Sequence, residues 1–519
     1  MNRFLFLFLL LITACSPQKP LSTLRISFNA FPSTIDPRKA GDFVSSTLIC
    51  LIYEGLTRCL PDGSVEPAMA ERIEMSADQT IYTFHLRSAF WSDGQPVTAY
   101  DFESSWKKII DPQFPSLCTY LFYPIKNSES AAKGEKPLSE VGIHALDERT
   151  LQVELERACP YFLSLTAFPS FLPIPVSLTE EDLDQSSARI VNGPFRIEQM
   201  TTNSTIYLIK NETFWNRDQI RLDAIQIQIL FDETTALQMF ERNELDWLGG
   251  PLSPFPPDAF EDLRKKEYLS VFPMAATTFC SFNTTLFPLN CIKLRKALSL
   301  AINRLEIAKQ ITRIENSSAT QCIPPSLTKR TEKVLYPAYA PIIAQELLQE
   351  ALEELGLQKI PPLTLTFRKG TTEKQVAQAL QKQWQETLNL EIRLLETEVK
   401  THQANLHNRS YEIALYYWIA QYSDPINILE RFRERKNPKN YPAWENLAFK
   451  QLLECSTLAK TPQERFQRLE EAEEILIEEM PLSPIYHWSN LSLCQKRLKN
   501  MHMTPNGGVL FERCWIDEE

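Results

Sequence analysis

The chain has 519 residues, 44% of them hydrophobic and 23% charged, which is enough for a large core and more than one globular unit. A formal net charge of −11 supplies no basic patch and argues against nucleic acid as the main partner. Only 13 glycines stand against 35 prolines, and neither GxxxxGK[ST] nor GxGxxG occurs, so a nucleotide site of either usual design is not expected.

In MNRFLFLFLLLITACS, one basic residue, Arg3, precedes an apolar run over residues 4–12, and small residues lead to Cys15. The run is too short to span a bilayer as a helix and fits the apolar region of a secretory signal. LITAC resembles a bacterial lipobox, in which Cys15 is acylated and becomes the first mature residue; the competing reading is an ordinary cleavable signal with an incidental cysteine. No later segment is long and apolar enough to cross a membrane, so the mature chain is expected to be exported, soluble and tethered through its N-terminal lipid. Of the 11 cysteines, those beyond Cys15 have neither zinc nor redox spacing and cannot be paired from sequence. Some are expected to act as small buried hydrophobes.

In TIYTFHLR, Tyr82, Phe84 and Leu86 alternate with Thr83, His85 and Arg87, the pattern of a half-buried strand. After the SDGQP turn, Thr98 and Asp101 have capping-box spacing for a helix running through Trp106. In KLRKALSLAINRLEIAKQI, Leu294, Ala297, Leu298, Ala301, Leu305 and Ala308 form one stripe and predict one continuous helix. Strands then follow at 363–367, 390–395 and 411–418, with an amphipathic helix at 373–388. This strand–helix–strand spacing implies a mainly parallel sheet covered by helices. A last long helix at 462–479 stops before Pro481, and the strand-like PIYHWSNLSL follows. The first and last segments both read as strands able to share a lobe.

Nothing in this order suggests catalysis. The six histidines, 85, 144, 402, 407, 487 and 502, form no HExxH and no carboxylate-rich ligand cluster, and His402 and His407 are off the one-turn spacing of a helical metal pair. GxSxG is absent, no cysteine sits in a recognisable protease context, and Glu471 and Glu473-Glu474 read as a solvated helix face. The expectation is a protein that is not an enzyme, with no cofactor and no metal.

Several stretches resemble, in order, the extracytoplasmic solute-binding proteins of family 5, the oligopeptide- and dipeptide-binding lipoproteins of bacterial ABC importers. They are STIDP; residues 51–112, LIYEGLTRCLPDGSVEPAMAERIEMSADQTIYTFHLRSAFWSDGQPVTAYDFESSWKKIIDP; NGPFRIEQM; NETFWNR; DETTALQMFERNELDWL; FNTTLFPLNCIKLRKALSLAINRLEI; YYWIAQYSDPINIL; and MPLSPIYHWSNL. GEKPLSEVGIHALDERTLQVELERACPYF looks like the oligopeptide branch. The resemblance implies an α/β, two-lobed periplasmic-binding-protein fold of the class II type, with an extra domain inserted in lobe I. Its segments are expected at 1–15 (lipoprotein signal), 16–53 (lobe I), 54–185 (inserted domain), 186–280 (lobe I), 281–487 (lobe II) and 488–519 (lobe I). It also implies capture of an oligopeptide between the lobes and its delivery to a membrane permease with ATPase subunits.

The implied site centres on YYWIAQYSDP, residues 416–425. In peptide-binding relatives the end of this strand meets the ligand backbone like an added β-strand, so affinity is independent of side-chain sequence. Trp418 matches the aromatic of that segment and reads as a ligand wall or as a core residue under the hinge. Ile419 follows it, and Tyr416 and Tyr417 alternate in facing, so at most one of them meets the cleft. Oligopeptide-binding relatives carry an Asp three residues after the aromatic to receive the peptide's α-ammonium; here that place is Gln421, an amide without charge. Asp424 reads as a helix cap or as a substitute clamp, and Asp42 is another possible replacement. Leu415 stands where the nearest relatives have a basic residue near the ligand's carboxyl end. His407 matches a histidine of that region, with an exposed loop role as the alternative, and Tyr486 matches an aromatic near the cleft, with a core role as the alternative. Gln421 leaves open a non-peptide or N-blocked solute such as a cell-wall fragment; a surface-interaction or chaperone-like lipoprotein is the remaining alternative.

Overall fold

The computed structural model describes residues 22–179, 190–313, 317–328 and 336–517; Cys15 and the signal segment lie outside them. The ten-stranded main sheet runs in the spatial order Ile392–Thr397, Leu363–Arg368, Ile413–Ile419, Leu269–Phe282, Leu482–Cys494, Trp247–Gly249, Thr23–Phe28, Ala224–Ile229, Thr205–Lys210 and Phe195–Thr201. Thr23–Phe28 and Leu482–Cys494 thus stand two places apart near the middle of the sheet, with Trp247–Gly249 between them. A separate four-stranded sheet is built from Ala70–Met75, Ile81–Leu86, Thr150–Glu154 and Ile143–Asp147.

The buried apolar side chains divide where the two longest strands cross. One cluster draws on residues before Leu252 and after Leu498, including the four-stranded sheet, and a second runs from Ala275 to Tyr486. A smaller third cluster packs Phe240, Leu245 and Leu263 against Leu493. Leu269–Phe282 and Leu482–Cys494 pair antiparallel in both large units, yet their register breaks between Pro273↔Ser489 and Thr277↔His487. A bulge interrupts the ladder and bends the strand. Here it leaves the Ala275 amide to donate to the Pro505 carbonyl at 2.6 Å and the Ala275 carbonyl to accept from Ala420 at 2.7 Å. The fold is a two-lobed α/β sandwich joined by two crossing strands, with the additional sheet packed into the first lobe.

Local predictions hold where pattern and capping agree. The Ile81–Leu86 strand buries Tyr82, Phe84 and Leu86, and Thr98 and Asp101 form a capping box on Ala99–Ile110. Pro462–Glu479 is a helix with Thr461 accepting from the Glu464 amide.

Three expectations are corrected. The predicted continuous helix ends at Leu300 and restarts at Arg304, because the Asn303 side chain caps the new turn by accepting from the Glu306 amide. Leu305 is consequently 47% exposed, outside the buried stripe. The later sheet is mixed: Leu363–Arg368 runs parallel to both of its neighbours, whereas Ile413–Ile419 pairs antiparallel with Leu269–Phe282. Glu473, read as solvated, is buried; its carboxylate accepts from the Ile323 amide at 2.7 Å, and burial pushes its pKa up to about 7. Cys118, Cys159, Cys280, Cys291, Cys322 and Cys514 are buried free thiols, as small hydrophobes would be.

Candidate functional site

Ile413–Ile419 carries the site because its last residues reach the bulged crossing. Tyr416, Tyr417, Trp418 and Ile419 lie opposite Phe279, Thr278, Thr277 and Ala276. The β-branched and aromatic residues of the strand suit a pleated, half-buried surface. His402 holds its backbone from the side: the ring is buried and its Nε2 hydrogen-bonds the Leu415 carbonyl at 3.0 Å. Burial lowers its pKa, which keeps the ring neutral and able to donate through one nitrogen. Leu415 itself is buried and brings no charge.

Alternation gives the strand end two chemically distinct faces. On one, Tyr417 packs at a tilt of 36° against Trp488, with centroids 4.7 Å apart, and accepts from Arg368 at 2.9 Å, while Arg368 pairs with Glu373. On the other, the Trp418 indole N–H donates to Asn427 Oδ1 at 2.9 Å. The Arg431 guanidinium lies 4.0 Å from the Trp418 ring centroid and the Lys439 ammonium 5.4 Å from it. Tyr416, on the same face, is buried against Phe279 and Tyr441.

Beyond the strand, the chain turns onto the first lobe. The Gln421 amide donates to the Tyr120 hydroxyl, and the Gln421 carbonyl accepts from Asn506 at 3.4 Å. Tyr422 stacks on Tyr161 with centroids 4.5 Å apart and planes 5° from parallel. These two rings pack against both large core clusters. At Gly63, φ is +79° and an added Cβ would overlap Ser423, so this close approach of the two segments requires glycine. Tyr120 is pushed up to about 12, chiefly by burial, and stays a neutral donor and acceptor.

The other predicted residues have definite partners. Asp42 caps the Phe43–Ile52 helix, accepting from the Ser45 amide at 2.8 Å, the Ser45 hydroxyl at 2.8 Å and the Ser33 hydroxyl at 2.7 Å. Burial alone would raise its pKa; these hydrogen bonds outweigh it and hold the carboxylate below the ordinary value. Asp424 accepts from the Ile426 amide at 2.9 Å and forms a two-pronged pair with Arg465, both bonds 2.8 Å long. Its charge is therefore spent inside the second lobe. His407 is exposed at the end of the Val399–Asn408 helix, against Gln403 and the edge of Tyr441. Tyr486 is buried opposite Thr278, and burial pushes it up to about 12. The structure thus brings Trp418, Ile419 and Gln421 together at the crossing, sets Tyr417 on the opposite face with Tyr486 in register two strands away, and leaves Asp42 and His407 engaged elsewhere. Arg431, Lys439, Tyr120 and Tyr161 were not singled out by sequence. Arg431 and Lys439 fall in the charge-rich run ERFRERKNPK, which reads as solvated.

Residues 64–440 match the family described as bacterial extracellular solute-binding proteins, family 5 Middle. The oligopeptide-binding protein OppA of Bacillus subtilis is 34% identical over 508 residues, 96% of this chain and 93% of that protein. The periplasmic oligopeptide-binding protein OppAIV of Borrelia burgdorferi superposes with a TM-score of 0.75 at 26% identity, covering 95% of this chain and 99% of that one. The unliganded open form of MppA, a periplasmic murein tripeptide binding protein, superposes with a TM-score of 0.86 at 24% identity, covering 96% of this chain and 98% of that one.

Proposed function

The chain belongs to family 5 of the bacterial extracellular solute-binding proteins and has a substrate-binding role in peptide transport, and from this premise we propose that it captures oligopeptides between its lobes beside Trp418. The observation that carries this placement is the strand end itself: Trp418 belongs to one core, and three residues later Gln421 bonds Tyr120 of the other. A guest laid along residues 418–421 touches both lobes, and a ligand that contacts both in the closed arrangement shifts the population toward closure. Backbone pairing at a strand end then gives affinity without sequence preference. The proposed segments remain 16–53, 186–280 and 488–519 in lobe I, 54–185 as its inserted domain and 281–487 as lobe II; the two large clusters are in line with a two-lobe division, except that Ala275, Phe279 and Cys280 pack with the second lobe.

Binding alone performs this task; the chain is read as a non-enzyme that hands its guest to an ABC permease and its ATPase subunits. Tethering through lipid on Cys15, on the outer side of a bacterial membrane, completes the reading, and no helix among the described residues is long and apolar enough to cross a membrane. Gln421 favours a second ligand class, N-blocked peptides or cell-wall fragments, since an amide bonded to Tyr120 offers no charge to an ammonium.

Isothermal titration with free-amine and N-acetylated peptides tests both. Micromolar or tighter binding of either set supports peptide capture. Equal affinity for the two sets rules out an ammonium clamp, and no binding of either rejects the peptide reading.

A further inference from the structure

The charges around Trp418 do not balance. Arg431 is 3% exposed; its Nε donates to the Ile428 carbonyl at 3.3 Å, but Nη1 and Nη2 have no hydrogen-bond partner among the described residues. Its guanidinium rests among the rings of Trp418, Phe432 and Tyr416, at 4.0, 4.9 and 5.9 Å from their centroids. The buried Tyr416 hydroxyl is the polar neighbour of this guanidinium and brings no negative charge to it. Lys439, half-buried, holds its ammonium 4.3 Å from the Tyr120 ring centroid and 5.4 Å from that of Trp418, with no carboxylate in ion-pair reach among the described residues. Burial, and then the Arg431 charge, lowers the Lys439 pKa, the sign of a cation that lacks an anion.

Neighbouring cations are treated differently. Arg368 pairs with Glu373, Arg433 with Glu430 and Glu454, and Arg465 with Asp424. A chain with a formal charge of −11 has carboxylates to spare, yet none among the described residues pairs with Arg431 or Lys439. Ring contacts offset part of the penalty of holding buried cations, and the rest is relieved only by an anion.

We propose that Lys439 and Arg431, held against Trp418, form the receptor for a carboxylate of the bound peptide. Lys439, the less buried of the two, makes the direct contact, and Arg431 stacked on the indole supplies the second positive charge. Gln421 and Tyr120, both able to donate, border the same place from the two lobes. The ligand class is therefore an anionic peptide whose carboxylate, at its C-terminus or on an acidic side chain, is anchored at Trp418. This rests on the peptide reading above and adds the polarity of the guest.

The test is titration calorimetry with trialanine, its C-terminal amide, and the amide of Ala-Glu-Ala, on the full chain and on Lys439→Gln. A charge-assisted contact predicts that wild type binds trialanine about tenfold to a hundredfold more tightly than its amide if the C-terminus is read. If an acidic side chain is read, the Ala-Glu-Ala amide binds better than the trialanine amide by the same factor. Lys439→Gln should abolish whichever preference is found. Arg431→Met should reduce the same preference, and if that variant fails to fold, Lys439→Gln alone decides the matter. Wild type binding all three peptides equally, or Lys439→Gln keeping the full preference, overturns the receptor while leaving peptide capture standing. Wild type binding none of the three peptides overturns both.

Discussion

Tyr417 and Trp418 are adjacent residues of one strand, yet the charges they face are arranged in opposite ways. Arg368 on the Tyr417 face hydrogen-bonds the phenol and is neutralised by Glu373. Arg431 and Lys439 on the Trp418 face rest on aromatic rings, with the Ile428 carbonyl beside Arg431, and have no carboxylate partner among the described residues. A closed set of partners stabilises the strand; an unbalanced set leaves interaction energy for a guest. One strand can do both because successive side chains leave on opposite faces.

The contrast is broken most severely where a balanced charge is unbalanced. Asp424→Ala strands the buried Arg465 guanidinium and should cost about 3–5 kcal/mol of unfolding free energy in urea titration. A loss below about 1 kcal/mol would show that Arg465 finds water or another acceptor. Trp418→Ala removes the wall and the ring on which Arg431 rests, and should weaken peptide binding about a hundredfold, roughly 3 kcal/mol by calorimetry. Unchanged affinity would place the guest elsewhere. Gln421→Asp adds a carboxylate at the interlobe turn and should strengthen free-amine peptides about tenfold relative to N-acetylated ones. Equal changes for the two sets would mean that the ligand's amine lies away from this turn.

The smallest effect concerns the frame the two faces share. Burial depresses the His402 pKa below its ordinary 6.5, so the unfolded chain takes up the proton first. Its contribution is complete above pH 6.5 and is lost as pH falls from there through the folded value. His402→Gln should therefore flatten the stability curve below pH 6.5 in parallel melts of the two proteins. Parallel curves would show that the ring is already solvated.

Local rules made much of the fold legible. Alternation exposed Ile81–Leu86, and caps bounded Ala99–Ile110 and Pro462–Glu479, because each of these elements is decided by its own residues. The break at Asn303 was hidden, since its capping role competes with an unbroken apolar stripe. Glu473 was misread because helix periodicity does not reveal the Ile323 amide it serves. In the site, YYWIAQYSDP announced aromatics and an uncharged Gln421, but alternation alone does not say which face is balanced. Tyr120 and Tyr161 reach residues 421–422 only through the folded arrangement of the lobes. Arg431 was concealed by its neighbours: five further charged residues within 430–436 look like a solvated stretch, whereas the side chain turns inward onto Trp418.

The interlobe clamp is tested most directly by amide hydrogen exchange with and without a saturating tripeptide. Capture at the crossing predicts simultaneous protection of residues 416–423 and of the facing segments around Gly63, Tyr120 and Tyr161, with distant helices such as Pro462–Glu479 unchanged. Protection confined to one lobe, or absent from 416–423, would contradict it.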